Sequence, residues 1–205
     1  LRKIQVIHSI IREKGSKGGI NVKRIAVIGQ SGDIPEDIQL ISEEVGAEIA
    51  QRNAVLLTGG GSGVMEAASK GAKQAGGLVI GILAGDETHV ANDYLDVPIT
   101  TGMSFDYRSL ILIHSSDAII MIRGGNGTLG ELSAAYMNKK PVVVIETSGG
   151  WATKVKEVAF EGAYLDERRT VEIHYANTAK MAVDRAFLRI EHPLDEGKNT
   201  GIIGD

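Results

Sequence analysis

Cysteine is absent from this 205-residue chain, which excludes disulfides, thiolate metal sites and cysteine nucleophiles together. Long apolar runs are missing too. No stretch reaches the roughly 18 residues that read as a membrane span, and the N-terminus lacks an apolar segment followed by a cleavage site, so a cytoplasmic protein is the expectation. Positive charge is not in excess: the formal net charge is −4 and the pI is near 5.8. A general nucleic-acid binder needs a basic footprint, and with three Phe, five Tyr and one Trp there is little surface for stacking bases. Nucleic acid is therefore not an expected partner. His8, His89, His114, His174 and His192 show no ligand-like spacing, and no metal site is expected.

What is present is glycine, 26 of them, and a regular alternation. Short Val/Ile-rich runs end in turn residues and are separated by helical patterns, the signature of βαβ units. Strands are expected near Arg24–Ile28, Ala54–Leu57, Leu78–Leu83, Val97–Thr100, Asp117–Ile122, Pro141–Glu146 and Val171–Tyr175. Helices are expected near Pro35–Arg52, Gly63–Ala75, Phe105–Ser115, Leu129–Asn138, Trp151–Glu161 and Thr178–Ile190. This predicts an α/β, three-layer Rossmann-like fold with a mostly parallel sheet of about seven strands and ligands outside the carboxyl ends of the strands. The domain is expected to span residues 23–191. Residues 1–22 read as an N-terminal arm, with Arg2, Lys3, Arg12, Lys14 and Lys17 against Glu13. Residues 192–205 read as a flexible C-terminal tail.

Three glycine turns follow expected strands: Gly29-Gln-Ser-Gly32, Thr58-Gly-Gly-Gly-Ser-Gly63 and Gly124-Gly-Asn-Gly-Thr128. In a parallel sheet they gather along one edge. There the backbone N–H groups of Gly29, Gly32, Gly59, Gly60, Gly61, Gly63, Gly124, Gly125 and Gly127, with Ser31, Ser62, Arg123, Asn126 and Thr128, would surround an anion. A small phosphorylated ligand is the expected partner. The first turn does not meet G-x-G-x-x-G, and no turn ends in Gly-Lys-Ser/Thr, which argues against a dinucleotide-dependent redox enzyme and a nucleotide triphosphatase.

Two ionisable residues stand out. Thr128-Leu-Gly-Glu131 fits a capping box, but a carboxylate one turn into that helix could equally face a ligand. Arg108 begins a segment, Phe105–His114, that is apolar almost all round and is expected to be largely buried, and a buried arginine needs an anion. Asp106, Glu131 and a ligand phosphate are the candidates. Glu66 opens the helix after Gly63, as a helix-start acid or as a ligand contact. Asp86, Glu87, His89, Asn92 and Asp93 form a polar loop, read as solvated or as a lid.

Gly59-Gly-Gly-Ser-Gly-Val-Met65, Arg108 and Gly124-Gly-Asn-Gly-Thr-Leu-Gly-Glu131 resemble, in order and spacing, the LOG-type proteins often labelled "possible lysine decarboxylase". Within that superfamily the chain looks most similar to the branch containing molybdenum cofactor carrier proteins. The resemblance covers residues 23 to 190. It implies a hydrolase that cleaves the N-glycosidic bond of a nucleoside 5′-monophosphate, with Arg108 and Glu131 in the catalytic positions and Gly124, Gly125, Gly127 and Thr128 on the 5′-phosphate. The alternative it implies is a non-catalytic carrier of molybdenum cofactor or a related phosphorylated pterin or nucleotide. No cofactor is required; a nucleotide or molybdopterin is the bound group implied. A homo-oligomer is implied as well, in keeping with the apolar Phe105–His114 segment. The family's Pro-Gly-Gly is Arg123-Gly-Gly here, and its Met-His-x-Arg-Lys is Phe105-Asp-Tyr-Arg108-Ser109. Nothing resembles a pyridoxal phosphate lysine motif, so the decarboxylase label is not carried over.

Overall fold

The computed structural model describes residues 22–193. The expected arm falls outside the described residues, except for residue 22, and so does the expected tail beyond residue 193. In chain order the elements are β1 (Arg24–Gly29), α1 (Glu36–Gln51), β2 (Val55–Thr58), α2 (Val64–Gln74), β3 (Leu78–Leu83) and β4 (Val97–Thr100). There follow α3 (Phe105–Ser115), β5 (Ala118–Ile122), α4 (Asn126–Met137), β6 (Val142–Ile145), a 3-10 turn (Glu146–Ser148), α5 (Gly150–Val158), β7 (Ile173–Ala176) and α6 (Ala179–Glu191).

All seven strands are parallel, in the order β4-β3-β2-β1-β5-β6-β7. Strands buried on both faces must be apolar throughout, which is why β5, Ala-Ile-Ile-Met-Ile, reads as a continuous run. Alternate residues serve opposite layers. Ile25, Val27, Leu56 and Ile120 meet α1, α2 and α6 through Val45, Ile49, Ala68 and Val183. Ala26, Ile28, Leu57 and Ile119 meet α3, α4 and α5 through Leu112, Leu132 and Val155. The chain runs outward one way from β1 to β4 and the other way from β5 to β7, so the order reverses between β1 and β5. Gly29 pairs in register with Ile122 at that point, and the first and third glycine turns emerge side by side there.

Helix α1 crosses α2 at very short range. A side chain on Gly46 would collide with the Ala68 carbonyl, and one on Gly71 with the Glu43 carbonyl. These glycines weaken their helices locally but let two backbones touch.

Three expectations are corrected. Helix α4 begins at Asn126, not Leu129, because Gly125 serves as its N-cap and the chain is helical through Gly127 and Thr128. Helix α5 ends at Val158, three residues earlier than expected, because Ala159 turns extended. Helix α3 is only half buried: Leu112 and Ile113 face the core, whereas Phe105, Tyr107 and Leu110 are exposed. No helix among the described residues is long and apolar enough to cross a membrane.

Candidate functional site

The carboxyl ends of β1, β2, β3 and β5 border a cavity of about 1420 Å³. It is lined by the glycine turns and by apolar side chains that include Met65, Leu83, Met103 and Phe105.

The first two turns are fastened to each other. Val64 N–H donates to the Gln30 carbonyl at 2.9 Å, and Gly32 N–H donates to Ser62 Oγ at 3.1 Å. Gly63, at φ 70°, sits where a side chain would stand 2.7 Å from the Gly32 carbonyl. Asn92 braces the second turn from the polar loop, its Nδ2 donating to the carbonyls of Gly60 and Gly61 at 3.1 and 3.0 Å. That loop is thus neither free nor merely solvated at Asn92.

The third turn leads directly into α4. Gly125, Asn126 and Gly127 are exposed along the cavity, and Thr128 is buried beneath them. The first intrahelical bond in this turn is Leu129 N–H to the Gly125 carbonyl at 3.1 Å, so the N–H groups of Asn126, Gly127 and Thr128 have no backbone partner. Three free donors at the positive end of a helix dipole favour an anion.

Arg108 and Glu131 face the same cavity, 7% and 9% exposed. Nε and Nη1 of Arg108 are buried and have no hydrogen-bond partner. The guanidinium lies against Gly59, where a side chain would collide with it, and over the Phe105 ring at 5.9 Å. Burial pulls its pKa down, opposed by the charge of Glu131. Burial pushes Glu131 up, opposed by a hydrogen bond from Ser109 Oγ at 3.0 Å and by the charge of Arg108. The two residues feel each other's charge without meeting in an ion pair. A capping box is excluded for Glu131, because Thr128 is the third helical residue and Gly125, which has no side chain, is the cap.

Of the residues expected at the site, Gly29, Ser31, Gly59, Gly61, Ser62, Arg108, Gly125, Asn126, Gly127, Thr128 and Glu131 line the cavity. Gly32, Gly60, Gly63, Glu66, Arg123 and Gly124 do not. Gly32 and Gly63 serve to dock the two turns, and Gly60 packs against Leu83. Gly124, at φ 96°, makes room for Thr128, whose Cβ lies 2.5 Å from where a side chain would begin. Glu66, in the first turn of α2, is off the cavity wall. The Arg123 side chain is drawn sideways, its Nε donating to Gln30 Oε1 at 2.6 Å. Sequence reasoning missed Ser109 as a partner of Glu131 and Asn92 as a brace. Both bonds span more than twenty residues, and no local pattern signals them.

The profile of the SLOG cluster4 family matches residues 22–183. The chain belongs to this family. Among its relatives, an uncharacterized protein of Archaeoglobus fulgidus is 42% identical over 133 residues, 62% of this chain and 86% of its own. The cytokinin riboside 5′-monophosphate phosphoribohydrolase of Mycobacterium tuberculosis is 31% identical over 134 residues, 61% of this chain and 71% of its own. The solved structure of the molybdenum cofactor binding protein of Rippkaea orientalis superposes with a TM-score of 0.71 at 31% identity, covering 83% of this chain and 98% of its own. The SLOG cluster4 match ends inside α6, so it includes every strand and the whole cavity.

Proposed function

We propose that the chain binds a small phosphorylated, nucleotide-like ligand and hydrolyses the N-glycosidic bond of a nucleoside 5′-monophosphate. One observation carries the reading: a buried arginine with two unpartnered donors and a buried carboxylate face the cavity into which the free N–H groups of α4 also open. The phosphate takes the N–H groups of Asn126, Gly127 and Thr128. Glu131 then lies one helical turn further in, on the side where the sugar would extend. As the C1′–N bond breaks, its electron pair leaves with the base and positive charge develops on the ribose, which an ionised Glu131 stabilises. Water adds to C1′, giving one proton to Glu131, while the base takes a proton from solvent. The products are free base and ribose 5-phosphate. Arg108 and Ser109 act by opposing the burial effect, favouring the ionised form of Glu131 in a desolvated setting. The Mycobacterium tuberculosis relative, by its name, performs this class of reaction.

Incubation with a panel of nucleoside monophosphates, read as free base by chromatography, tests the proposal. Glu131→Gln is expected to lower release about 100-fold. Release by wild type no greater than by that variant would overturn it.

A second reading, a carrier of molybdenum cofactor or another phosphorylated pterin, is favoured by the size of the cavity. About 1420 Å³ exceeds the usual range of small-ligand sites and leaves room for a larger cargo. Mass spectrometry of the molecule that co-purifies with the protein separates the two: intact pterin without turnover supports the carrier.

We propose in addition that the chain forms a homo-oligomer through α3 and β4. Val97 and Ile99 share a sheet face with Ile80 and Ile82 in register, yet both are exposed, since the helix layer stops short of this edge strand. Phe105 and Tyr107, which also line the cavity, are 72% and 65% exposed at the start of α3 and present an apolar flank that a second α3 would cover.

A further inference from the structure

We infer that Arg123 is a positioning residue, holding the start of α4 in place from outside the cavity; the inference rests on the phosphate reading above. Arg123 has φ 55°, a left-handed conformation unfavourable for a residue with a side chain. The turn directs its side chain into the gap between the loop after β1 and the loop after β6. In that gap Nε donates to Gln30 Oε1 at 2.6 Å, Nη1 donates to the Ser148 carbonyl at 3.4 Å, and the backbone N–H donates to Ser148 Oγ at 2.6 Å.

Ser148 is itself immobilised. It is 2% exposed, and its hydroxyl donates to the Ile145 carbonyl at 2.6 Å. The next residue leaves space for the arginine: a side chain on Gly149 would begin 2.6 Å from Nη1. The carbonyls of the turn are held as well, Arg123 by Ala152 N–H at 3.2 Å and Gly124 by Trp151 N–H at 3.0 Å. The residue directly before the anion cradle is therefore tied to two neighbouring loops. Gly125, Asn126 and Gly127, which follow it, have open space where side chains would be or face the cavity. Arg123 and Ser148 do not line the cavity, whereas Gln30, which accepts the Nε bond, does. The charge-assisted bond of Arg123 to Gln30 joins the first glycine turn to the third, so the two sides of the cradle keep a fixed separation.

The test compares wild type with Arg123→Gly, Arg123→Lys and Ser148→Ala. Arg123→Gly keeps the left-handed backbone and loses the guanidinium; Ser148→Ala removes an acceptor that does not line the cavity. AMP and adenosine affinities are measured by calorimetry, and hydrogen exchange is followed at the Leu129 and Gly130 amides. Arg123→Gly and Ser148→Ala are expected to raise the AMP Kd about tenfold, leave adenosine within about twofold, and speed exchange at both amides. Arg123→Lys is expected to recover part of each loss. Wild-type AMP affinity and exchange in Arg123→Gly would overturn the inference. So would weakened AMP binding in Arg123→Gly with Ser148→Ala unaffected, since that pattern marks a direct ligand contact. If wild type binds no AMP, the phosphate reading falls, and the exchange data alone decide whether Arg123 and Ser148 hold the helix start.

Discussion

The guanidinium of Arg108 occupies the space that a side chain on Gly59 would need. Gly59 lies in the turn after β2 and Arg108 in the first turn of α3, and the absence of a side chain on the glycine leaves room for the guanidinium. Gly59→Ala is expected to displace Arg108 and slow base release from AMP about tenfold, measured by chromatography. Arg108→Met removes the charge that opposes the burial effect on Glu131, so it is expected to raise the Glu131 pKa further and move the acidic limb of the base-release profile to higher pH. The pH profile of base release checks this; an unmoved limb in Arg108→Met would contradict it.

Glu131 has its pKa raised by burial, and its contribution to stability depends on pH with a definite sign. A raised carboxylate favours the folded state below its unfolded pKa, and that advantage is lost as pH rises through the folded value. Glu131→Gln does not titrate. Its Tm relative to wild type is therefore expected to climb as the pH rises from the ordinary glutamate range through the raised pKa of Glu131, and melts across a pH series measure it.

Ser109 opposes the burial effect by donating to Glu131 Oε1. Ser109→Ala is expected to raise the Glu131 pKa further, moving the acidic limb of the base-release profile to higher pH. Above both acidic limbs, rates should converge to within about threefold. An unshifted limb would separate Ser109 from the proton chemistry.

Gly46 and Gly71 sit in helix interiors, where alanine normally adds about 1 kcal/mol of stability. Here each β-carbon would strike a backbone carbonyl of the partner helix. Gly46→Ala and Gly71→Ala are expected to destabilise by about 2–3 kcal/mol in denaturant titrations, because α1 and α2 must separate.

Leu110 is 41% exposed on the flank of α3. On a monomer Leu110→Glu would be nearly neutral; at an interface it is expected to dissociate the oligomer. Light scattering at micromolar concentration reads the mass directly, and a wild-type monomer would remove the proposed interface.

Much of this molecule was legible from local pattern. Uninterrupted apolar runs such as Ala118–Ile122 identified strands buried on both faces, and β3, β4 and α3 lie where the spacing placed them. The third turn was readable as a helix start because glycines and a following helical stretch are adjacent in the chain. Its cap was misread, since Gly127 and Thr128 look like turn residues yet are helical. Local pattern also suggested that α3 is buried. An all-round apolar helix reads that way whether its cover is the same chain or another surface.

The sequence by itself determined the parallel α/β architecture and the edge along which the glycine turns collect, because strand and helix periodicities are properties of neighbouring residues. Only the tertiary structure decided what each turn does. Gly59 receives Arg108, Ser109 reaches Glu131, and Arg123 turns from the cavity toward Gln30 and Ser148. Those partners are tens of residues apart and meet through strand order, which places β1 beside β5 and so brings the first and third turns together.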